Sequence, residues 1–252
     1  MELKSLLSMP DLEECRSLLC IQPHPDDNEV GAGATIAKLS AKGCKIVYLT
    51  VTNGSMGSAN PDIKPEELTS IRKKEAEKAA ASLGVSELIF LDYDDCSYPD
   101  ERELALKIVS VIRQVKPEIV MTVDPFLPYE AHPDHRKVGM ATAEACLFSM
   151  FSGFKSVGEI IDSSQLWAVK GIAFHSTASP NTFIGVDDTW NKKMNAISLH
   201  ESQFDEISLQ RLGYYFDYKA KLYAEGKPFL RAEAFKVLTT ECLHMNVDAI
   251  NI

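Results

Sequence analysis

The chain has 252 residues, of which 45% are apolar and 25% charged, values that fit a folded globular protein and exclude wholesale disorder. It carries 26 basic and 36 acidic side chains, and the formal net charge of −10 makes nucleic acid and anionic membranes poor partners. No uncharged apolar run approaches membrane-spanning length, and no apolar segment follows a basic start, so neither a membrane span nor a signal peptide is predicted.

Strand and helix patterns alternate through the first half of the chain. Apolar and β-branched runs predict strands at 17–21, 45–51, 88–91 and 118–123. Apolar spacing and helix-end residues predict helices at 30–39, 65–83 and 101–115. This alternation predicts a mostly parallel sheet with helices on both faces and right-handed crossovers.

The second half is less regular. We predict further strands at 167–174 and 182–186 and helices at 187–204 and 209–224. No linker is evident, so residues 1–252 are predicted to form a single α/β domain. Ligands of such sheets sit beyond the carboxyl ends of the strands, which is where we expect the functional site.

Two polar clusters follow the first and fourth predicted strands. Pro23–Asp27 reads PHPDD, and His132–His135 reads HPDH. Histidines with carboxylates form a plausible site for a borderline metal, and three such ligands leave a position for water. Pro25 stiffens the first turn, so that adjacent aspartates point in different directions. One aspartate can then bind the metal while its neighbour faces the water.

The second cluster is open to two assignments. Pro133 suits a first helical position, and His132 and His135 are spaced so that they can share one helix face. One of them could bind metal and the other could face the substrate. Each motif alone is short enough to arise by chance, but both together at strand ends of one sheet strongly favour a metal site.

The glycine-rich stretch and the cysteines do not indicate a function of their own. The stretch 31–36 (GAGATI) starts like a dinucleotide fingerprint, but its third small position is Ile36, and no acidic residue stands near the expected strand end after Val51. The six cysteines are scattered without a C-x-x-C pair. They predict buried, reduced thiols in a cytoplasmic protein and neither a zinc knuckle nor a disulfide framework.

These residues resemble the LmbE/PIG-L family of zinc-dependent N-deacetylases. The resemblance covers Leu18 to about Cys146, with weaker matches to the C-terminus, and its segments are PHPDD, GAGATIAKL, VTNGSMGS, IRKKEAEKAAASLGV and HPDH. The stretch DPFLPYEAHPDHR and the later LHESQF (199–204) are similar to the diacetylchitobiose deacetylase branch. The resemblance implies a Rossmann-like three-layer fold and removal of acetate from an N-acetylglucosamine-type sugar.

The resemblance also implies roles for individual residues. It assigns the zinc ligands to His24, Asp27 and His135. It assigns the general base to Asp26 and assistance of the oxyanion and the leaving group to His132. It assigns substrate binding to Arg72.

A histidine in the C-terminal segment also bears on the oligomeric state. His244 resembles a histidine that completes the site of a neighbouring subunit, which implies a ring-shaped homo-oligomer, a hexamer by family analogy; an ordinary surface histidine is an equally good interpretation. The family usually has Glu after its two aspartates, whereas this chain has Asn28 followed by Glu29. The hydrogen bond that this Glu would make to a metal ligand is therefore expected either to differ in this chain or to be made by Glu29.

Four residues near strand ends are candidates to line the substrate pocket, although core or surface roles fit them equally: Met56, Asp92, Tyr129 and Glu130. Three alternatives to an amino-sugar deacetylase remain. An amidase of the same family could act on another N-acyl substrate, such as the precursor of a thiol cofactor. A sugar-binding protein without catalysis is a second alternative. A metal phosphoesterase is a third, but its usual two-metal site needs more ligands than the sequence offers.

Overall fold

The computed structural model describes residues 7–97, 100–154 and 166–252. Its strands are β1 (Ser17–Gln22), β2 (Lys45–Thr52), β3 (Glu87–Tyr93), β4 (Ile119–Val123), β5 (Gly171–His175), β6 (Thr182–Gly185) and β7 (Ala232–Leu238). Its helices are α1 (Asp27–Ala41), α2 (Pro65–Leu83), α3 (Glu101–Val115), α4 (Pro133–Phe148), α5 (Trp190–Ser198) and α6 (Glu206–Ala224).

The strands form one seven-stranded sheet in the order β3-β2-β1-β4-β5-β7-β6. The first five pair in parallel, and β7 runs antiparallel to both β5 and β6. The predicted mostly parallel sheet is therefore confirmed. Strand β7 was not predicted. Its sequence AEAFKVL interrupts the apolar run with Glu233 and Lys236, both of which are buried.

Helices cover both faces of the sheet, as the three-layer prediction requires. Side chains alternate along β1, so that Leu18 and Cys20 face one core while Leu19 and Ile21 face the other. The first core packs beneath α1, α2, α5 and α6, and the second beneath α3, α4 and the C-terminal segment. Both faces of the central strands are buried, which explains their continuous apolar runs.

Several predicted boundaries were wrong. Helix α1 begins at Asp27, three residues before the predicted start, because the polar residues Asp27, Asn28 and Glu29 form its first turn. The predicted helix at 187–204 is shortened to Trp190–Ser198, and the predicted strand at 167–174 begins only at Gly171. The cysteines are free thiols, and all except Cys96 are buried, as expected.

The order of strands places a switch point between β1 and β4. From β1 the chain proceeds outward to β2 and β3, and it then returns to β4 on the other side of β1. A crevice forms at the carboxyl ends of such a strand pair and is where ligands bind. Both polar clusters follow these two strands. Within the described ranges, no helix is both long and apolar enough to span a membrane.

Candidate metal and active site

The first cluster forms a tight turn between β1 and α1. The backbone N–H of His24 donates to Asp27 Oδ2 at 2.8 Å, which closes the turn. Asp26 precedes the helix with φ 153° and ψ −19°, a conformation that side-chain-bearing residues rarely adopt and that tends to occur at functional sites. The turn directs the carboxylates of Asp26 and Asp27 to different partners, as the sequence predicted.

The carboxylate of Asp27 lies between two histidine rings. Its Oδ2 is 3.3 Å from His24 Nδ1, and its Oδ1 is 3.3 Å from His135 Nε2. Ligand atoms that share a tetrahedral ion at 2.0–2.2 Å are about 3.3–3.6 Å apart. Two imidazoles and one carboxylate are also the donor types that zinc prefers. The donor types and the two distances to Asp27 suit a metal ion, although each histidine contacts a different oxygen of that carboxylate.

The remaining nitrogen of each ring is bonded to a carboxylate. His24 Nε2 lies 3.2 Å from Asp95 Oδ1 and 3.3 Å from Asp134 Oδ2, and His135 Nδ1 lies 3.2 Å from Glu130 Oε2. Metal-binding histidines usually present their second nitrogen to a carboxylate, which orients the ring and raises its basicity. The arrangement points to Nδ1 of His24 and Nε2 of His135 as the ligand atoms.

His132 lies close enough to compete as a ligand. Ligand atoms of His24, His132 and His135 lie within 4.8 Å of one another, and so do those of His24, Asp95, His132 and Asp134. The rings of His132 and His135 are stacked with centroids 4.9 Å apart. The described residues thus offer more than one donor set, and the assignment of Asp27 over His132 stays a prediction.

The surrounding charges set the protonation of the metal-free site. Burial lowers the pKa of His24, but hydrogen bonds to Asp134, Asp27 and Asp95 outweigh burial and raise the pKa to about 12. Burial likewise lowers the pKa of His135, yet its hydrogen bond to Asp27 produces a net rise. Burial raises the pKa of Asp27, but the two histidines hold it well below its usual range. The metal-free site therefore holds a protonated His24 against an ionised Asp27, and the same carboxylate favours the protonated form of His135.

His132 begins helix α4 as its N-cap. Its Nδ1 accepts the backbone N–H of Asp134 at 3.3 Å, as a capping side chain does. An accepting Nδ1 leaves the proton of the neutral ring on Nε2. Burial and the charges of His24 and His135 lower the pKa of His132. Its available donor is thus the Nε2–H of a neutral imidazole.

Asp26 has Arg72 as its side-chain partner and makes no hydrogen bond with the two candidate ligand histidines among the described residues. Its side chain retains 14% exposure, and its Oδ2 lies 3.2 Å from Nη2 of Arg72. Burial and the neighbouring charge of Asp27 raise the pKa of Asp26 to about 7, although the positive charge of Arg72 opposes the rise. A carboxyl group with a pKa near neutrality is suited to accept and return a proton.

Arg72 projects from α2 and is almost completely buried. Besides Asp26, it donates to the backbone carbonyls of Gly54 at 3.0 Å and Pro25 at 3.3 Å. One guanidinium therefore ties together the turns that follow β1 and β2. These contacts show what holds Arg72 in place, and its predicted contact with substrate stays a prediction.

The contact between two buried side chains, His200 and Glu29, was not predicted from the sequence. His200 lies in the LHESQF segment, is fully buried, and has its Nε2 3.7 Å from Glu29 Oε2. Burial lowers the pKa of His200, but the interaction with Glu29 produces a net rise. Glu29 thus faces His200, while the carboxylates that contact the candidate ligand histidines come from Asp95, Asp134 and Glu130. Asn28 is buried, and its side-chain amide has no hydrogen-bond partner among the described residues.

Asp95 and Asp134 are the clearest omissions of the sequence prediction. Asp134 is the aspartate of the HPDH motif, so the motif itself carried the signal. Asp95 follows β3, and only the sheet order brings it beside His24. It also accepts the backbone N–H of Met56 at 3.1 Å, which ties the turn after β2 to the site.

The other predicted lining residues lie at the rim. Of these, Glu130 reaches the site itself by contacting His135. Tyr129 is fully exposed and Met56 is 64% exposed, whereas Asp92 lies 3.9 Å from Lys73 on the surface. His244 follows a short 3₁₀ helix at Thr240–Leu243 and is exposed. Its predicted role concerns a neighbouring subunit and stays a prediction.

Comparison with known proteins shows the family to which the chain is similar. The family model described as "PIG-L: GlcNAc-PI de-N-acetylase" matches residues 19–146. A diacetylchitobiose deacetylase from Thermococcus kodakarensis is 37% identical over 229 residues, which cover 86% of this chain and 84% of that protein. A probable N-acetyl-α-D-glucosaminyl L-malate deacetylase from Bacillus cereus is 28% identical, over 76% of this chain and 86% of its own.

A solved structure shows the same fold. The N,N′-diacetylchitobiose deacetylase from Pyrococcus horikoshii, in complex with an inhibitor, superposes with a TM-score of 0.88 and 31% identity, covering 99% of this chain and 95% of that one. The matched family segment contains both polar clusters and the carboxylates behind them. By sequence and by structure, the chain belongs to the PIG-L family of de-N-acetylases.

Proposed function

We propose that this protein is a zinc-dependent deacetylase that converts an N-acetylglucosamine-type sugar into acetate and the free amino sugar. The observation that carries the proposal is the Asp27 carboxylate between His24 and His135, with Asp26 on the next residue. The relatives named as deacetylases of N-acetylated glucosamine compounds support this substrate class.

The proposed metal would be held by His24, Asp27 and His135. When bound, zinc supplies a Lewis acid for the acetamide carbonyl and acidifies a water molecule to a pKa of about 7. Asp26 then accepts the proton of the attacking water at its carboxylate. The charges around it place its pKa close to where such a transfer is efficient.

His132 is proposed to stabilise the oxygen that becomes negative during attack. Its neutral Nε2–H can donate a hydrogen bond there without an additional proton. The amine leaves poorly unless it is protonated, so the proton collected by Asp26 must return to the leaving nitrogen. Asp26 is partly exposed, and this leaves its carboxylate accessible to a substrate in the crevice.

The subunit arrangement is a further part of the proposal. We expect a homo-oligomer in which His244 completes the site of a neighbouring subunit. Exposed apolar side chains beside His244 support a protein contact there: Met245, Val247 and Ile250. Light scattering gives the subunit number, and His244→Ala should lower turnover without dissociating zinc.

The test of the main proposal is acetate release from N-acetylglucosamine and from diacetylchitobiose. The zinc-loaded protein is compared with protein treated with a chelator and then dialysed. Chelator-sensitive release establishes the deacetylase. If zinc is bound and acetate is not released from either sugar, an amidase acting on another N-acyl compound or a silent sugar-binding protein becomes the better interpretation.

A further inference from the structure

Helix α6 leaves most of its surface in solvent. Its inward side is a narrow seam, in which Ala220 and Ala224 are buried and Phe216 packs one turn before them against the first core. The outward side carries large exposed side chains: Ile207, Tyr214, Tyr218 and Leu222. A contiguous apolar face of this kind on a folded protein marks a site of contact with a partner.

The exposed side chains form a ridge along the helix. Tyr214, Tyr218 and Leu222 follow one another at intervals of one helical turn, and residues with this spacing stand one above the other on a helix surface. Tyr214 is 72% exposed and Tyr218 is 66% exposed. Tyrosine is enriched at the energetic centres of protein interfaces, because its flat apolar ring also carries a hydroxyl group.

A groove of about 350 Å³ lies between α5 and α6, beside this ridge. Gly213 lines the groove on α6, and Trp190 and Met194 line it on α5. Because glycine has no side chain, the groove stays open at this point of the helix. Asp217 and Arg231 line it as well, and Arg231 Nε donates to Asp217 Oδ1 at 2.7 Å. The groove therefore offers apolar walls together with a carboxylate.

A ridge next to a groove on one helix is complementary to a second copy of itself. When two copies of α6 cross near Gly213, the ridge of each copy can enter the groove of the other, as helices pack ridges into grooves. A two-fold contact uses the same surface on both copies. Tyr214 of one copy then reaches the groove of the other, where its hydroxyl can donate to the carboxylate of Asp217.

The charges along α6 fit an antiparallel pair of helices. Asp205 and Lys221 lie equally far from Gly213 along the chain, so a two-fold axis at Gly213 places Asp205 of one copy opposite Lys221 of the other. Lys221 shares the carboxylate of Asp217 with Arg231. This group of three therefore retains one positive charge for Asp205 of the second copy. Opposite charges across an interface fix its register.

From these observations we propose that the protein forms a two-fold dimer through α6, in which Tyr214 of each copy sits in the groove beside Gly213 of the other. A second copy is the occupant because ridge, groove and opposite charges stand on the same helix. The contact uses none of the apolar residues beside His244 and does not depend on the deacetylase activity. If the contact proposed for His244 also closes a ring, the α6 contact joins two such rings face to face.

Tyr214→Ser removes the centre of the proposed contact. Light scattering over a range of concentrations measures the mass of the whole protein in solution, and we expect the wild type to be an even multiple of one chain. The substitution should raise the dissociation constant of the α6 contact about 30-fold or more, as the loss of an aromatic residue from an interface centre does. At concentrations between the two dissociation constants, the number of associated copies should be halved.

Gly213→Arg fills the groove from the other side of the contact. A Cβ atom at this position meets Met194 Cε at 3.5 Å, an ordinary contact, and nothing nearer within the described ranges. Arginine also suits a helix interior better than glycine, so the fold should persist. The number of associated copies should again be halved, because the side chain occupies the place of Tyr214 and puts two like charges at the axis.

Tyr129→Ser is the matched control, since Tyr129 is fully exposed and does not lie on α6. It should leave the mass at the wild-type value. A wild type that is monomeric or contains an odd number of copies overturns the inference, and so does an unchanged mass in either α6 variant. Acetate release from the same samples tests the proposed function separately, because the masses decide the α6 contact whether or not acetate is released.

Discussion

The guanidinium of Arg72 lies 3.2 Å from the carboxylate of Asp26, and their side chains are only 4% and 14% exposed. The same guanidinium donates to the carbonyls of Gly54 and Pro25. Arg72 therefore contributes both to the position of the proposed base and to the electrostatic field around it. Removing one member of a buried ion pair leaves the other charge without a partner. The free energy of unfolding therefore falls by more than the intact pair contributes to it.

Replacing Arg72 with alanine should raise the pKa of Asp26 further, since the arginine charge opposes the rise that burial and Asp27 produce. A base must be ionised to work, so the acid limb of the kcat profile should move to higher pH. Loss of the buried partner should also lower the free energy of unfolding by about 3 kcal/mol. Urea unfolding and the pH dependence of kcat measure the two effects. A rise in KM with an unchanged acid limb would instead support the predicted contact with substrate.

Asp26→Asn preserves the size of the side chain but removes the proton acceptor. We expect kcat to fall by about 10² or more, while bound zinc, measured by atomic absorption, stays at the wild-type level. His135→Ala is the comparison, because removal of a ligand should lower the zinc content itself. Joint loss of zinc and activity in Asp26→Asn would show that Asp26 is a ligand and not the base.

Zinc binding should compete with protons. The pKa of His24 is raised to about 12 and that of His135 is raised above its ordinary value, so the metal-free site holds protons at neutral pH that zinc must displace. Affinity should therefore weaken as pH falls, and each binding event should release protons. Calorimetric titrations at one pH in buffers of different ionisation enthalpy count these protons. Affinity independent of pH between 6 and 8 would contradict protonated ligands.

The carboxylate of Asp134 should strengthen zinc binding by its contact with the ring of His24. Asp134→Asn removes the charge that holds His24 Nε2 at 3.3 Å, and we expect zinc affinity to fall about 10- to 100-fold. Competition with a chromophoric chelator measures the change. Asp188→Asn, at an exposed position of the same charge, is the matched control. Equal affinities of the two variants would show that His24 does not depend on this carboxylate.

Gly31 should tolerate no side chain. A Cβ atom at this position would overlap the buried ring of His175, so Gly31→Ala should lower the free energy of unfolding by about 1–3 kcal/mol. Gly153→Ala is the control, because a Cβ there meets no neighbour within 4 Å and its backbone is not left-handed. Denaturant unfolding at a fixed zinc concentration measures both. Equal stability of the two variants would mean that His175 moves without cost.

Much of the fold was predictable because the central strands are buried on both faces. Such strands have continuous apolar sequences, and the helices between them end at recognisable residues: α2 and α3 have the predicted bounds. Strand β7 escaped prediction because two of its buried residues are charged. Glu233 is stabilised by the backbone of α1 and by Lys193, contacts that no local pattern reveals.

The sequence by itself determined the alternating fold and the two motifs that carry the candidate ligands, because both depend on residues close together in the chain. Only the tertiary structure decided which carboxylate contacts each nitrogen of His24 and His135. Asp95 and Glu130 reach His24 and His135 through the order of the strands and the loop after β4. Distances between such groups are properties of packing, and spacing along the chain does not encode them directly.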